Sequence, residues 1–383
     1  MPSVSAVFSS GILTVTGDNA ANQILVAADA AGNLTVTDHG QAVAIRVLQG
    51  SATRDQATLI VIDGKGGDDS LATDASLNRL VNGTLVGAAD VVMRGGAGND
   101  TLRVGHGGIV GGLAGVDANG VVIGKVVGNA FMDGGSGDDT LFSGFGNDIM
   151  LGGEGNDSYI WLPGTLTDFW DGGPGSDTAT IVGNDTFLSS NPAADAFDLD
   201  ASGSHALFRR TNLVQFSVDI FNTETIILQP GAGDDTVHIG DLSAVAGLRQ
   251  VIVQGGDGND LIDASAQRDR GLRLVLDGGA GNDVLLGGAG NDVLLGGDGD
   301  DWLDGGGGSD LLVGGSGNDH LDGGNDRDRD LLIGGQGADT FVRRKRDLYT
   351  DIVPAEEDQL VSPATKPIPS SKAGAMSDTK QKR

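Results

Sequence analysis

Along the C-terminal half of the chain a single inward-type apolar residue returns every nine positions, with glycines and an aspartate between one return and the next. Residues 278–304 read GGAGNDVLL, GGAGNDVLL, GGDGDDWLD. The register continues as GGGGSDLLV from Gly305, GGSGNDHLD from Gly314, an eleven-residue variant GGNDRDRDLLI from Gly323, and GGQGADTFV from Gly334. This is neither the 3.6-residue period of a helix nor the alternation of a long strand, and glycine interrupts every candidate helical window. Glycines at positions one, two and four suit a tight turn, because they accept positive φ and close approach. The spacing therefore predicts a six-residue turn and then a short strand over positions seven to nine, with the eighth side chain inward. In the tandem block that residue is Leu285, Leu294, Leu303, Leu312, Leu321, Leu332 and Phe341.

Earlier copies start at Gly95, Gly134, Ser143, Gly152, Gly172 and Gly255, and looser ones at Gly64 and Pro230. Stretches such as ATLIVID, TETIILQ and LRQVIVQ run straight into glycine-aspartate turns and read as strands. One turn and one short strand close half of a flattened coil. Two nonapeptides then make a rung, and unit i stacks on unit i+18 as a parallel strand about 4.8 Å away. The expected fold is all-β: a mostly parallel β-solenoid whose C-terminal part is a β-roll. The expected divisions are a β-rich segment over 1–94, a first repeat block over 95–182, a divergent β-rich segment over 183–277, the tandem roll over 278–342, a strand-like cap over 343–361 and a disordered tail over 362–383.

Composition sharpens this. Of 383 residues 66 are glycine and 4% are aromatic, so no large conventional core is available, and without cysteine no disulfide or thiolate metal site can hold the fold. Only four of the 53 acids are glutamate (Glu154, Glu224, Glu356 and Glu357), a bias that places short carboxylates in turns. The first 342 residues carry 15 basic and 47 acidic side chains. That field repels nucleic acid and anionic lipid. No apolar run is long enough for a membrane span, and the N-terminal stretch lacks the pattern of a secretory signal.

Stacking brings the position-six aspartates of alternate units, such as Asp283, Asp301 and Asp319, to rung spacing along one edge. Two carboxylates about 5 Å apart repel by roughly 3 kcal/mol at an effective dielectric near 20, as much as one inward leucine supplies at about 1.5 to 3 kcal/mol. A metal-free roll is thus expected to fail to close. A hard divalent cation reverses the balance, with turn carbonyls completing an oxygen shell, and with no cysteine and five scattered histidines calcium fits the available ligands best.

These repeats resemble the RTX (repeats-in-toxin) calcium-binding proteins, the hemolysin-type family, whose nonapeptide is a known parallel β-helix repeat. The resemblance is specific over 278–342, clear over 134–160 and looser elsewhere. It implies that the position-six aspartates hold calcium, here Asp100, Asp139, Asp148, Asp157, Asp260, Asp283, Asp292, Asp301, Asp310, Asp319, Asp330 and Asp339, in about six sites between units two apart. It also implies a secreted or cell-surface protein that leaves through type I export machinery.

No further chemistry is expected. HExxH and GxSxG are absent, and His39, His106, His205, His238 and His320 stand apart, which reads as surface or turn positions. The DD pairs at 68, 138, 234 and 300 recur with the turn and read as loop ligands rather than as acid/base pairs. Trp161, Phe169 and Trp170 read first as filler for a gap in the solenoid and second as a sugar-stacking platform. Position seven, Val284, Val293, Trp302, Leu311, His320, Leu331 and Thr340, lacks the threonine row of an ice-binding face. The expected protein is non-enzymatic. The competing reading is a calcium-binding accessory module of a polysaccharide-modifying enzyme, or an adhesin with an extracellular polysaccharide partner.

Overall fold

The computed structural model describes residues 4–77, 79–81, 84–86, 89–104, 129–144, 146–161, 167–183, 194–212, 215–342, 344–350 and 358–363. His106, the middle of the expected cap and nearly all of the expected tail lie outside these residues. Strands dominate, and the only helical element among the described residues is a 3-10 turn at Ala75–Leu77. The chain forms two compact units, 1–182 with 207–224, and 183–206 with 225–383.

In the first unit the N-terminus is hairpin-built: Ser5–Ser9 pairs antiparallel with Ile12–Thr16, and Gln23–Ala28 with Leu34–Asp38. Parallel stacking then takes over. One sheet runs Ile12–Thr16, Leu59–Gly66, Asp90–Ala97, Ala130–Ser136, Ile149–Glu154, Asp168–Asp171 and Phe216–Phe221. The facing sheet runs Gln23–Ala28, Ser70–Thr73, Thr101–Arg103, Thr140–Phe142, Ser158–Trp161 and Thr178–Val182.

The second unit follows the same plan. Thr236–Ile239, Leu261–Asp263, Val284–Leu286, Trp302–Asp304, His320–Asp322, Thr340–Val342 and Gln359–Val361 form one parallel sheet. Thr225–Gln229, Gln250–Asp257, Arg273–Ala280, Val293–Asp298, Leu311–Ser316, Leu331–Gln336 and Leu348–Thr350 form the other. Leu285 pairs with Leu303 and Leu303 with Leu321, the expected offset of eighteen. Across the eleven-residue unit Leu321 pairs with Phe341 and Leu312 with Leu332, so both extra residues stay in the turn.

The two sheets are unequal, which the nine-residue pattern alone did not predict. Three-residue strands occur in one, but in the other Val293–Asp298 and Leu311–Ser316 run on through the first three positions of the following unit. Their glycines join the ladder, Gly297 opposite Gly315 and Gly315 opposite Gly335. Gly297 has φ 113°, and a methyl group there would strike the Gly279 carbonyl. Only glycine lets the rungs lie this close.

The position-eight side chains form one file on each sheet, Leu285, Leu303, Leu321 and Phe341 on one and Leu294, Leu312 and Leu332 on the other, and all are fully buried, as are Leu71, Leu102, Leu141, Met150, Tyr159 and Ala179; Val251, Val253, Leu274 and Leu276 add to the core from the longer strands. A second apolar strip lies on the other face of the short-strand sheet, where Leu261, Val284, Leu286 and Trp302 are also buried. Trp302 there stacks on His320 at 3.8 Å. His320 is therefore buried and not the surface residue expected from sequence, because the indole one rung away covers it.

A file one residue wide leaves nothing to fill a gap. Leu303→Ala should lower calcium-saturated stability by about 2 to 5 kcal/mol, and Leu295→Ala, half-buried on the outer face, by less than about 1 kcal/mol. Urea unfolding followed by circular dichroism distinguishes them; equal losses would mean that position eight is not the core.

Candidate metal centre

The aspartates at position six are buried, from Asp69 and Asp100 to Asp330 and Asp339, none more than 3% exposed. Their placement has a cause that the sequence reading missed. In most of them one oxygen accepts the backbone N–H of the position-six residue one rung earlier, and Asp69, Asp148 and Asp292 take Asn22 N, Ala130 N and Leu274 N in its place. Asp69 N donates to Asp100 Oδ1 at 2.8 Å, Asp100 N to Asp139 Oδ1 at 2.7 Å, Asp139 N to Asp157 Oδ1 at 2.8 Å and Asp157 N to Asp177 Oδ1 at 2.7 Å. In the second unit the column runs Asp235, Asp260, Asp283, Asp301, Asp319, Asp339 and Asp358, each N–H on the next carboxylate at 2.7 to 2.9 Å. The opposite edge links Asp292 N to Asp310 Oδ1 and Asp310 N to Asp330 Oδ1. The carboxylates thus zip rung to rung instead of merely facing one another across a repulsive edge.

The second oxygen divides the candidates. Oδ2 of Asp100, Asp139, Asp157, Asp310, Asp319 and Asp330 is buried with no hydrogen-bond donor, as it is in Asp69 and Asp177. Asp148 and Asp292 differ, because their Oδ2 accepts Gly144 N and Gly288 N at 3.0 Å within their own turns. Asp260, Asp283, Asp301 and Asp339 occupy the same columns as the first group.

Several open oxygens, those of Asp100, Asp139, Asp157 and Asp319 among them, have a carbonyl oxygen for a neighbour. The point where a Cβ on Gly134 would lie is crowded by Asp139 Oδ2 and by the carbonyl of Gly152 one rung on. Gly152 is crowded likewise by Asp157 Oδ2 and Gly172 O, and Gly314 by Asp319 Oδ2 and Gly334 O. Acceptor faces acceptor in a buried turn, an arrangement that calls for a cation or a proton. Among the described residues no three histidine or acidic side chains gather into one cluster. That follows from the architecture, which supplies one carboxylate per rung per edge and leaves the rest of the shell to carbonyls.

Burial pushes these carboxyls up. Asp139 and Asp319 rise to about 7 and Asp310 to about 8, through desolvation first and then the like charges one rung away, partly offset by the N–H each accepts. Asp330 rises to about 7, and Asp69 and Asp177 to about 6, for the same leading reason. Asp100, Asp148, Asp157 and Asp292 are raised as well.

Position five forms a second ladder, which runs the other way: the side chain of one rung accepts the N–H of the next. Asn282 Oδ1 takes Asp300 N, and Asp300 Oδ1 takes both Asn318 N and Nδ2. Asp68, Asp138 and Asp234 do the same for Asn99, Asn156 and Asn259. The DD pairs are therefore two ladders side by side, with no acid/base geometry. Sequence reasoning omitted Asp69, Asp177 and Asp235 from the site, although the looser copies at Gly64 and Pro230 keep both the aspartate and the aliphatic and the copy at Gly172 keeps the glycines and the aspartate. It also missed Glu224, whose Oε2 closes the first column on Asp177 N at 2.8 Å.

The two tryptophans of the aromatic cluster are core, whereas Phe169 is half-buried and packs on Phe221 at 5.0 Å. Trp161 stacks on Phe216 at 4.1 Å and Trp170 on Tyr159 at 5.3 Å, and both indoles are buried away from any sugar. Of the remaining histidines, His39 is exposed beside Asp38 and His238 lies 4.0 Å from Asp263. Among the described residues no helix is long and apolar enough to cross a membrane.

The family described as the RTX calcium-binding nonapeptide repeat (four copies) matches residues 86–107, 127–159, 251–270, 277–312, 295–330 and 327–342. These stretches contain all twelve aspartates singled out from the sequence. No curated protein matches the chain.

Carboxyls raised in the folded state stabilise it fully below their unfolded value near 4, and that contribution is lost as pH rises through 6 to 8. In chelator the protein should therefore lose stability between pH 5 and pH 8, whereas saturating calcium, which takes the ionised form, should remove or reverse the slope. Thermal unfolding at both pH values, with and without chelator, reads this directly. A metal-free protein that gains stability over that window would contradict the buried geometry.

Proposed function

From a chain that carries RTX-type calcium-binding repeats, we propose a secreted or cell-surface protein that folds on calcium, with the position-six aspartates as ligands and no catalytic centre of its own. Calcium binding itself follows from the repeats. The observation that carries the finer reading is the buried, donorless Oδ2 of Asp100, Asp139, Asp157, Asp310, Asp319 and Asp330. A desolvated carboxylate of this kind is costly until a cation pairs with it. With Asp283, Asp301 and Asp339 in the same columns, the pairs Asp139/Asp157, Asp283/Asp301, Asp301/Asp319, Asp319/Asp339 and Asp310/Asp330 give five sites, and Asp292/Asp310, the sixth pair expected from the sequence, has its open oxygen on Asp310 alone.

Calcium supplies the positive charge that these edges lack; the protein's own residues do the rest. Oδ1 of each aspartate holds the rung spacing, the glycines turn carbonyls toward the open oxygen, and the file of leucines keeps the edge dry. Because metal is bound by the coil and not by the extended chain, binding energy becomes folding energy. Extracellular calcium modules work at Kd about 0.1 to 1 mM, so the chain stays largely unfolded at cytosolic calcium and closes outside the cell. An export channel that passes unfolded chains suits this behaviour.

Asp319→Asn separates the two roles of the carboxylate. It keeps an Oδ1 acceptor for Asp301 N but replaces the open oxygen with an amide, so the calcium midpoint for folding should rise several-fold with lost cooperativity. Asp300→Asn, which keeps its acceptor in the position-five ladder, should leave the midpoint almost unchanged. Far-UV circular dichroism against added calcium, with magnesium as control, measures both, and native mass spectrometry counts the ions. Equal shifts for the two variants would reduce the edge to a diffuse charge cloud, and a full β signal in chelator would end the calcium-folding reading.

A further inference from the structure

The chain has two tyrosines, and both stand at an inward strand position. Tyr159 is the eighth residue of GGEGNDSYI, and Tyr349 pairs with Leu332, itself an eighth residue. Every other position-eight side chain of the repeats is a hydrocarbon or a thioether. A hydroxyl inside so thin a core needs a partner, and each tyrosine finds it at a turn that departs from the nonapeptide.

Asp168 occupies the position-six place on its edge: Asp148 N donates to its Oδ1 at 2.9 Å, and Ile149 pairs with Phe169 just as successive repeats pair elsewhere. The residues before it, LPGTLT, lack the glycines of positions one and four, where Pro163 and Leu166 stand. Here Oδ2 is not open. The Tyr159 hydroxyl donates to it at 3.2 Å, the Trp161 side chain is also hydrogen-bonded to this carboxylate, and the phenol ring stacks on Trp170 at an interplanar angle of 17°. Tyr159, Trp170 and Asp168 are all buried, so the bond is shielded from water. Below it, Asp148 has both oxygens engaged, by Ala130 N and by Gly144 N. In the second unit Asp347 lies where Asp330 lies one rung before, after RRKR in place of glycines, but there Tyr349 Oη, which takes Arg344 N at 2.6 Å, is nearer to the carbonyls of Val342 and Arg344, at 3.2 and 3.3 Å, than to Asp347 Oδ2, at 3.4 Å.

We propose that the Tyr159 hydroxyl takes the place of calcium at Asp168, so that the Asp148–Asp168 rung closes without metal and persists when calcium is withdrawn. The proposal rests on the calcium reading of the nonapeptide rungs, since it distinguishes this rung from them. Where Oδ2 has no donor, the buried oxygen needs a cation. At Asp168 an O–H supplies the positive end of a dipole instead, and no metal is needed to satisfy the buried acceptor. In a solenoid each rung contacts only its neighbours, so a pre-closed rung is a template on which calcium-dependent rungs can add.

The test is hydrogen exchange of the full-length protein in chelator and in calcium, read by mass spectrometry at the peptides that contain Asp148 and Phe169 and at those of the tandem block. In chelator the wild-type protein should retain protection at Asp148 and Phe169, whose N–H groups bond to Asp168 Oδ1 and to Asp148 O. Tyr159→Phe keeps the ring stack and removes only the hydroxyl. It should speed exchange at these sites about tenfold, the loss expected for one buried hydrogen bond, and leave the tandem block unaffected in calcium. Identical exchange in wild type and Tyr159→Phe, or no protection at Asp148 in the wild type, overturns the proposal. A tandem block fully protected in chelator would instead overturn the calcium reading, and the local effect of Tyr159→Phe would still decide this one.

Discussion

The structure depends on one hydrogen bond repeated along each edge, from a position-six N–H to the carboxylate of the rung that follows. It draws a charged side chain out of water, fixes the spacing of successive coils, and leaves that side chain's other oxygen buried without a donor in most turns. Everything distinctive about the chain answers to that second oxygen. Calcium can neutralise it, a proton can neutralise it at low pH, and at Asp168 a tyrosine hydroxyl satisfies it. The same bond explains why aspartate and not glutamate dominates the acids: the shorter side chain reaches its neighbour's N–H without leaving the turn.

Charge repulsion and zipping are therefore not opposing descriptions of the edge. One carboxylate oxygen binds the rungs together while the other resists burial, and the balance between them is open to the medium. A leucine file contributes a similar amount per rung whatever the pH or metal content, so it cannot itself make folding conditional. The conditional part resides in the turns. In the first unit Trp161, Trp170, Phe208 and Phe216 build a wider core, whose contribution is likewise insensitive to the medium.

Much of this could be read in the sequence, because the nonapeptide makes strand, turn, register and inward residue follow from counting. The offset of eighteen and the burial of Leu285, Leu303 and Leu321 follow from period alone. What the period could not show is direction. Position five and position six both carry polar side chains at adjacent places, yet one ladder points up the coil and the other down, and only the backbone geometry separates them. Nor did spacing reveal Asp168, Glu224 or Asp347, which follow no nonapeptide and occupy the carboxylate columns through strand register. His320 was misjudged because its cover, Trp302, is eighteen residues away in sequence and one rung away in space.

The inequality of the two sheets limits how such a chain can change length. A unit that ends in a three-residue strand is always followed by one whose strand runs on through the next pair of glycines, so adjacent nonapeptides are not interchangeable. Loss of a single unit would move every later unit to the opposite edge, setting short-strand sequences where long strands are required and placing Trp302-type side chains on the wrong face. The smallest heritable step is thus the pair, eighteen residues, and repeat number is under a parity constraint. Extra residues inside a turn escape it, as the variant from Gly323 shows: two were added there, and the register above and below was kept.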